Sequence, residues 1–400
     1  MKKFLYLLMA AFVLMVACNK EKVIPLTGIS LDYEKALIAL DGNFTLTAKL
    51  APANATIRDI SWRTESPEVA TVEDGVVTPL QVGTAIIVAE SGDLSASCEV
   101  TVCELTFNPS TTDVAVDRSL PLSLFIRPEV PDLGDVIWTS DHPEIASVED
   151  GIVTGKSMGT VTITATAGVN LKAVCDVGVY RIIYEEDFEN KERFDSQWTV
   201  VDADGDGYKW KHLDNTGLTT SQMMPAHSGV CSVCSESYIN FTMNEDSKIL
   251  TPDNWMFSPS VHLSNGTNFL SYWVGPEDNR APSDKYAVYV ASNTSPGEHY
   301  MLFQETLVST SVESGVGYFH RVLPIPDSFK GQSVHFAFRH YDCTDAFVMK
   351  IDDVCVAEGN MHPEPAENKP ASSVSRPLNS GSRDAGRSLL QKKDDPFRFP

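Results

Sequence analysis

The segment VVDADGDGYKW, residues 200–210, sets Asp202, Asp204 and Asp206 at alternate positions, with Gly205 and Gly207 among them. Carboxylates at this spacing converge when the chain turns tightly, and the two glycines permit such a turn. Converging carboxylates suit calcium, a hard cation that takes about six to eight oxygen ligands. An EF-hand would also need flanking helices and a bidentate glutamate at loop position twelve. That position is Leu213, and the flanks FDSQWTVV and YKWKH read as strands. The segment is therefore a different kind of calcium loop or a solvated acidic turn. Tyr208 and Trp210 adjoin it and are expected to contact a ligand, because such a loop lies near the surface.

A second acidic set lies far apart in sequence. In YEEDFENK, Asp187 and Glu189 point one way from a strand while Phe188 points the other. In VMKIDDVCV, Asp352 and Asp353 sit between apolar residues, and alternation turns only one of them to solvent; Asp353 is the expected ligand. Carboxylates gathered from a first and a last strand repel one another unless a cation neutralises them. The sequence thus points to calcium held by Asp187, Glu189 and Asp353 as well as by the loop aspartates. Tyr238, Trp255, Trp273, Tyr286 and Tyr289 have the chemistry to stack on sugars, although core packing suits Trp255 and Trp273 within their apolar runs.

Catalytic patterns are scarce. Cys343 and His340 in RHYDCTD are three apart; on one strand they project to opposite faces, so no thiolate–imidazole pair is expected. Cys231 with His227 is no better placed. There is no H-E-x-x-H, no G-x-S-x-G and no glycine loop suited to a nucleotide. Cys231 and Cys234 form a C-x-x-C without the second such pair that a zinc site would use. A glycosidase pair cannot be picked from 54 acidic residues. No enzymatic activity is expected. The formal net charge of −23 repels nucleic acid.

The elements that must position these residues fall into blocks. The start, MKKFLYLLMAAFVLMVAC, has Lys2 and Lys3, an apolar run over residues 4–17 and then Cys18. That is the layout of a signal peptide, and the run is short for a membrane-spanning helix. Its ending, LMVAC, resembles a bacterial lipobox, with Met15 where leucine is usual. The resemblance implies that residues 1–18 are a lipoprotein signal peptide and that Cys18 carries lipid. A lipid anchor would hold the exported chain to a membrane, at the outer membrane or cell surface. Seven cysteines remain, an odd number; export permits disulfides and leaves their pairing open.

The chain then repeats itself. ISWRTESPEVATVEDGVVT from Ile60 answers VIWTSDHPEIASVEDGIVT from Val136, so that Trp62 maps to Trp138, Gly75 to Gly151 and Gly83 to Gly159. GTAIIVAES and GTVTITATAG alternate at period two, with turn residues between such runs, which favours β-sandwiches. The tryptophans are expected to anchor the core between two sheets. Residues 24–102 and 104–180 resemble group 2 bacterial immunoglobulin-like domains, which implies spacers or adhesive modules.

Residues 181–358 have a different texture, with strand-like runs NFLSYWV, KYAVYVA, YFHRVLPIP and VHFAFRHY and no long helical period. Such a region suggests a jelly roll. Its segments EEDFEN, WTVVDADGDGYKW, HSGVCSVCSESYIN, LTPDNWMFSP and FRHYDCTDAFVMKIDDV resemble the cleaved-adhesin, or gingipain-type adhesin, domain. That resemblance implies a calcium-stabilised jelly roll that binds host proteins or other macromolecules. Residues 359–400 are rich in Pro, Ser and mixed charge and are expected to be disordered.

The expected fold is all-β: two immunoglobulin-like β-sandwiches followed by a jelly-roll β-sandwich. The expected function is that of a non-catalytic surface lipoprotein adhesin that binds a host or matrix protein. A carbohydrate-binding module and a cell-envelope scaffold without an external ligand are the alternatives.

Overall fold

In the repeated units, the Asp-Gly step of VEDGVV and VEDGIV closes a hairpin. Asp74 and Asp150 take φ of 50° and 48°, and the following Gly75 and Gly151 take 83° and 79°. Two successive positive φ values make the mirror-image turn that matches strand twist, for which Asp-Gly is suited. The glycines also lie against the unit's tryptophan. A Cβ on Gly75 would sit 2.5 Å from the Leu46 carbonyl oxygen and 3.1 Å from the Trp62 ring, and one on Gly151 would sit 3.0 Å from the Trp138 ring. The repeated Trp and Gly are therefore one packing unit, used twice.

The computed structural model describes residues 23–56, 58–216, 225–239, 248–276, 283–307, 318–359 and 361–362. The expected signal peptide and Cys18 lie outside them, as does the expected disordered tail from residue 363 on; at its start Gly359 closes the last strand, Met361 is buried and His362 bonds Asp113, so these three are ordered instead. The first unit pairs Ser61–Thr64, Gly83–Ser91 and Leu94–Phe107 antiparallel, with Lys35–Ala39 parallel to the last of these. A smaller sheet of Phe44–Thr45, Val76–Pro79 and Ala70–Glu73 covers it. Between them pack Ile38, Phe44, Leu46, Val77, Ile87, Cys98 and Val100, with Trp62 against the cluster. The second unit repeats the plan: Ile137–Ser140, Gly159–Ala167 and Leu171–Glu186, with Thr111–Ala115 parallel to the last, face Ser119–Pro121, Ile152–Gly155 and Ala146–Glu149. Trp138 packs on this core as Trp62 does on the first.

The junctions carry no linker. Leu94–Phe107 crosses from the first unit to the second, where its end pairs with Leu124–Arg127. Leu171–Glu186 crosses from the second unit into the third block, where Tyr180 to Glu186 pair antiparallel with Val354 to Gly359 of the final strand. The first and last strands of the third block are thus neighbours.

That block is a two-sheet sandwich. Val348–Gly359 is central to one sheet, flanked on one side by Asn268–Pro276 and on the other by Leu171–Glu186 and Cys231–Glu236. The facing sheet runs Thr199–Asp202, Asp253–Phe257, Ser333–Tyr341, Lys285–Ala291, Tyr300–Thr306. Phe188, Trp198, Trp210, Tyr272, Tyr286, Phe336, Phe338 and Met349 fill the space between. A single-turn-plus helix, Lys191–Gln197, begins where the Asn190 side chain accepts the Arg193 N–H at 2.9 Å. Among the described residues no helix is long and apolar enough to cross a membrane.

Candidate functional site

The acidic loop leaves the facing sheet at the end of Thr199–Asp202. Gly205 and Gly207 have φ of 75° and 92°, with open space where a Cβ would be, so glycine serves conformation here and not close packing. The carboxylates organise the turn. Asp202 accepts the N–H groups of Gly205 at 2.7 Å and Gly207 at 2.8 Å. Asp204 accepts those of Asp206 at 3.1 Å and Asp253 at 2.7 Å, and Asp206 accepts that of Tyr208 at 2.8 Å. One oxygen from each of the three aspartates lies within 4.8 Å of the others. Burial opposes ionisation of Asp202, but the N–H donors of Gly207 and Gly205 and the contact with Asp204 hold it below the ordinary range. Asp204 moves up, through burial and the hydrogen bond shared with Asp202. Each hydrogen-bonded oxygen keeps a second lone pair, so the set fits an oxygen-ligated cation whose shell is completed by carbonyls and water.

The second acidic set assembles around the adjoining first and last strands, with the 225–231 loop laid across them. The final strand bulges there: Ser271 pairs with Cys355 but Trp273 with Asp352, and Asp353 takes φ of 46°. The bulge re-aims the adjacent aspartates. Asp352 is fully buried and accepts the N–H groups of His227 at 2.8 Å, Ser228 at 3.3 Å and Asp353 at 2.8 Å. Burial, and then the Asp353 carboxylate, push its carboxyl up to about 8 against those donors. Asp353 stays partly exposed, bonded to His227 Nδ1 and to Ser228 Oγ at 2.8 Å.

Glu189 turns to the same loop and accepts the N–H groups of Val230 and Cys231, both at 2.8 Å. Asp187 accepts the N–H of Glu189 at 3.2 Å. Asp187 and Asp353 line one groove, but Asp187, Glu189 and Asp353 are not among the threesomes whose ligand atoms come within 4.8 Å. Glu189 is instead engaged by the Val230 and Cys231 backbone donors. The groove, of about 1100 Å³, runs between the second immunoglobulin-like unit and the sandwich and carries Arg118, Glu185, Arg193, Asp187, Asp353 and His362. Arg118 donates to both Glu185 oxygens at 2.7 and 2.8 Å, and His362 Nδ1 meets Asp113 at 2.8 Å, so both contacts bridge the two blocks.

The aromatic candidates separate sharply. Tyr208 is half-buried, with the Lys248 ammonium 4.5 Å from its ring centre. Trp210 does not face out beside the loop as expected. It is 1% exposed, packs in the sandwich core and donates Nε1–H to the Asn254 carbonyl at 3.1 Å, so it offers no surface to a ligand. Trp255, Tyr286 and Tyr289 are also buried. Trp273 is sandwiched between His227 at 3.7 Å and His320 at 4.6 Å, which covers both ring faces. Burial first, and then the neighbouring His227, lower His320 to about 4 and keep it neutral.

One pairing reverses the sequence expectation. His340 and Cys343 meet, Nε2 to Sγ, at 3.0 Å. The strand ends at Tyr341, and Asp342 at φ of 51° folds the chain back, so strand alternation no longer applies. Asp284 Oδ1 also lies 3.0 Å from Nε2, while Nδ1 meets Ser235 Oγ at 2.8 Å. A nucleophilic triad places thiol and carboxylate on opposite ring nitrogens. Here both crowd one nitrogen, so the set is not arranged as a triad. Cys98, Cys103, Cys175, Cys231, Cys343 and Cys355 are free thiols.

Comparison with known proteins follows the same divisions. Residues 181–356 match the family model "Cleaved Adhesin Domain", residues 101–177 "Bacterial Ig-like domain (group 2)" and residues 58–104 "Bacterial Ig-like domain". Hemagglutinin A of Porphyromonas gingivalis is 28% identical over 256 residues, covering 53% of this chain and 9% of that protein. Lys-gingipain W83 of the same organism is 28% identical, covering 53% and 14%. The chain therefore spans only a small part of these relatives' length. Among solved structures, the K1 cleaved adhesin domain of Lys-gingipain from Porphyromonas gingivalis W83 is 27% identical with a TM-score of 0.36, covering 44% of this chain and 98% of that one. The K3 domain of the same protein is 29% identical with a TM-score of 0.35, covering 45% and 99%. Residues 181–356 are thus similar to cleaved adhesin domains, and residues 58–104 and 101–177 ahead of them to bacterial immunoglobulin-like domains.

Proposed function

We propose that this chain is a cell-surface lipoprotein adhesin that binds a host or matrix protein through its cleaved adhesin domain, with calcium stabilising that domain. The observation that carries the proposal is the match of residues 181–356 to the cleaved adhesin family, on a sandwich joined to its immunoglobulin-like units by continuous strands. A strand shared by two units resists bending better than a flexible linker, which suits a spacer that holds a binding domain away from a membrane. Lipid on Cys18 would supply the anchor. Calcium would sit at the Asp202, Asp204 and Asp206 loop, where it would neutralise gathered carboxylates, and a second ion beside Asp187 and Asp353, without Glu189, would tie the domain's two ends together. A protein partner is favoured over a glycan because the candidate rings Trp210, Trp255, Tyr286 and Tyr289 are buried and both faces of Trp273 are covered, which leaves Tyr208 and Tyr238 as the half-buried candidates.

Two measurements on cells test this. Protease added to whole cells should cleave the chain, and cells lacking it should adhere less to surfaces coated with matrix proteins. A chain spared by protease, with adherence unchanged in its absence, would replace the adhesin by an envelope scaffold.

A further inference from the structure

We propose that Asp284, His340 and Cys343 form a binding site for a single divalent transition ion of zinc's class. The three residues come from different places: Asp284 immediately before Lys285–Ala291, His340 in Ser333–Tyr341, and Cys343 beyond its end. One ligand atom from each lies within 4.8 Å of the others. Nε2 stands 3.0 Å from both Sγ and Asp284 Oδ1. Tetrahedral zinc with bonds of about 2.0–2.3 Å sets such donors roughly 3.3–3.5 Å apart, so a few tenths of an ångström of outward movement, with release of the protons on Nε2 and the thiol to solvent, would admit the ion.

The surroundings hold the donors as a metal site requires. Ser235 Oγ, 2.8 Å from Nδ1, fixes the ring so that Nε2 is presented to the thiol and carboxylate. Ser237 donates to Asp284 Oδ1 at 3.1 Å and accepts the Ala346 N–H at 3.0 Å, tying the carboxylate to the loop that bears Cys343. Asp284 is fully buried, yet its Oδ2 has no hydrogen-bond partner. A buried carboxylate oxygen left unpaired is costly, and a cation is the partner that removes the cost. A thiol and an imidazole among three donors select a borderline-soft ion over calcium. Cys343 is partly exposed, which gives the ion an entry path and leaves a coordination position for water. The site is independent of the acidic loop and of the adhesin proposal.

The test uses the full-length chain, stripped of metal, reduced, and kept in excess calcium so that oxygen-only sites are saturated. Cobalt(II) added alone should produce a thiolate-to-cobalt charge-transfer band that saturates at one equivalent and is bleached by zinc. Cys343→Ser should lose the band while melting at the same temperature as the parent in chelator. Asp284→Asn keeps an oxygen for Ser237 and replaces only the charge, so it serves if Cys343→Ser does not fold; the band should weaken and saturate at higher cobalt. No thiolate band in the parent chain would overturn the proposal. So would a band that persists unchanged in Cys343→Ser, which would assign it to another cysteine, or an unchanged titration in Asp284→Asn.

Discussion

Removing calcium should make the cleaved adhesin domain lose stability as pH rises from 5 to 8, and Asp352 sets the size of the effect. Its carboxyl is pushed from an ordinary 3.8 up to about 8 by burial and by the Asp353 carboxylate. In the fold it holds its proton where the unfolded chain has lost it. The contribution to stability is therefore fully present below about 3.8 and is lost as pH climbs toward about 8. Each pH unit in that window removes up to ~1.4 kcal/mol, so pH 5 to 8 removes up to ~4 kcal/mol. In a domain of this size that is a fall in Tm on the order of 10 °C. A calcium ion bound beside the pair, as proposed, would favour the charged form and oppose the loss. Scanning calorimetry of the full chain, in calcium and in chelator, reads the domain's transition at several pH values. The calcium-induced rise in Tm should be several degrees larger at pH 8 than at pH 5. An equal rise at both, or none, would refute the link between calcium and this buried pair.

Other outcomes follow from packing. Gly151→Ala should cost about 1–3 kcal/mol, because it strains a φ of 79° and drives a Cβ to 3.0 Å from the Trp138 ring; chemical denaturation of the full chain would register it in the immunoglobulin-like transition. Gly75→Ala should cost at least as much, since the Leu46 carbonyl lies closer still. Tyr286→Phe should cost about 1–3 kcal/mol, because the Tyr286 hydroxyl bridges buried Tyr272 at 3.0 Å and Glu305 at 2.5 Å; the cleaved adhesin transition would report it. Arg118→Met should change stability by less than about 1 kcal/mol despite its two bonds to Glu185, because both side chains are half exposed.

The repeat was legible in the sequence because its physics is local. An Asp-Gly turn, a glycine that cannot bear a Cβ and a tryptophan beside it recur together, and period-two strands follow. The acidic loop was legible for the same reason: its carboxylates bond their own turn. What sequence could not supply was the effect of distant elements. Trp210 stands next to the Lys211–Asp214 strand yet lies in the core, where Asn254 of the facing sheet offers its Nε1–H a buried acceptor. His340 and Cys343 meet only because the strand ends between them. Asp352 and Asp353 owe their division of labour to a bulge whose partner, Asn268–Pro276, lies some eighty residues earlier. His227 and Ser228 escaped notice as partners of those aspartates, although the HSGV segment carried them in plain view. The expected boundaries between blocks fall inside strands that run straight through them, and alternation of residue types gives no signal for that.

The most direct test of the adhesin account is binding by the purified full-length chain to arrays of matrix proteins and glycans, once in calcium and once in chelator. The account predicts saturable capture by a protein in calcium and loss of that capture in chelator, with the chain still folded. Capture by glycans alone, or no capture in either condition by a well-folded chain, would contradict it.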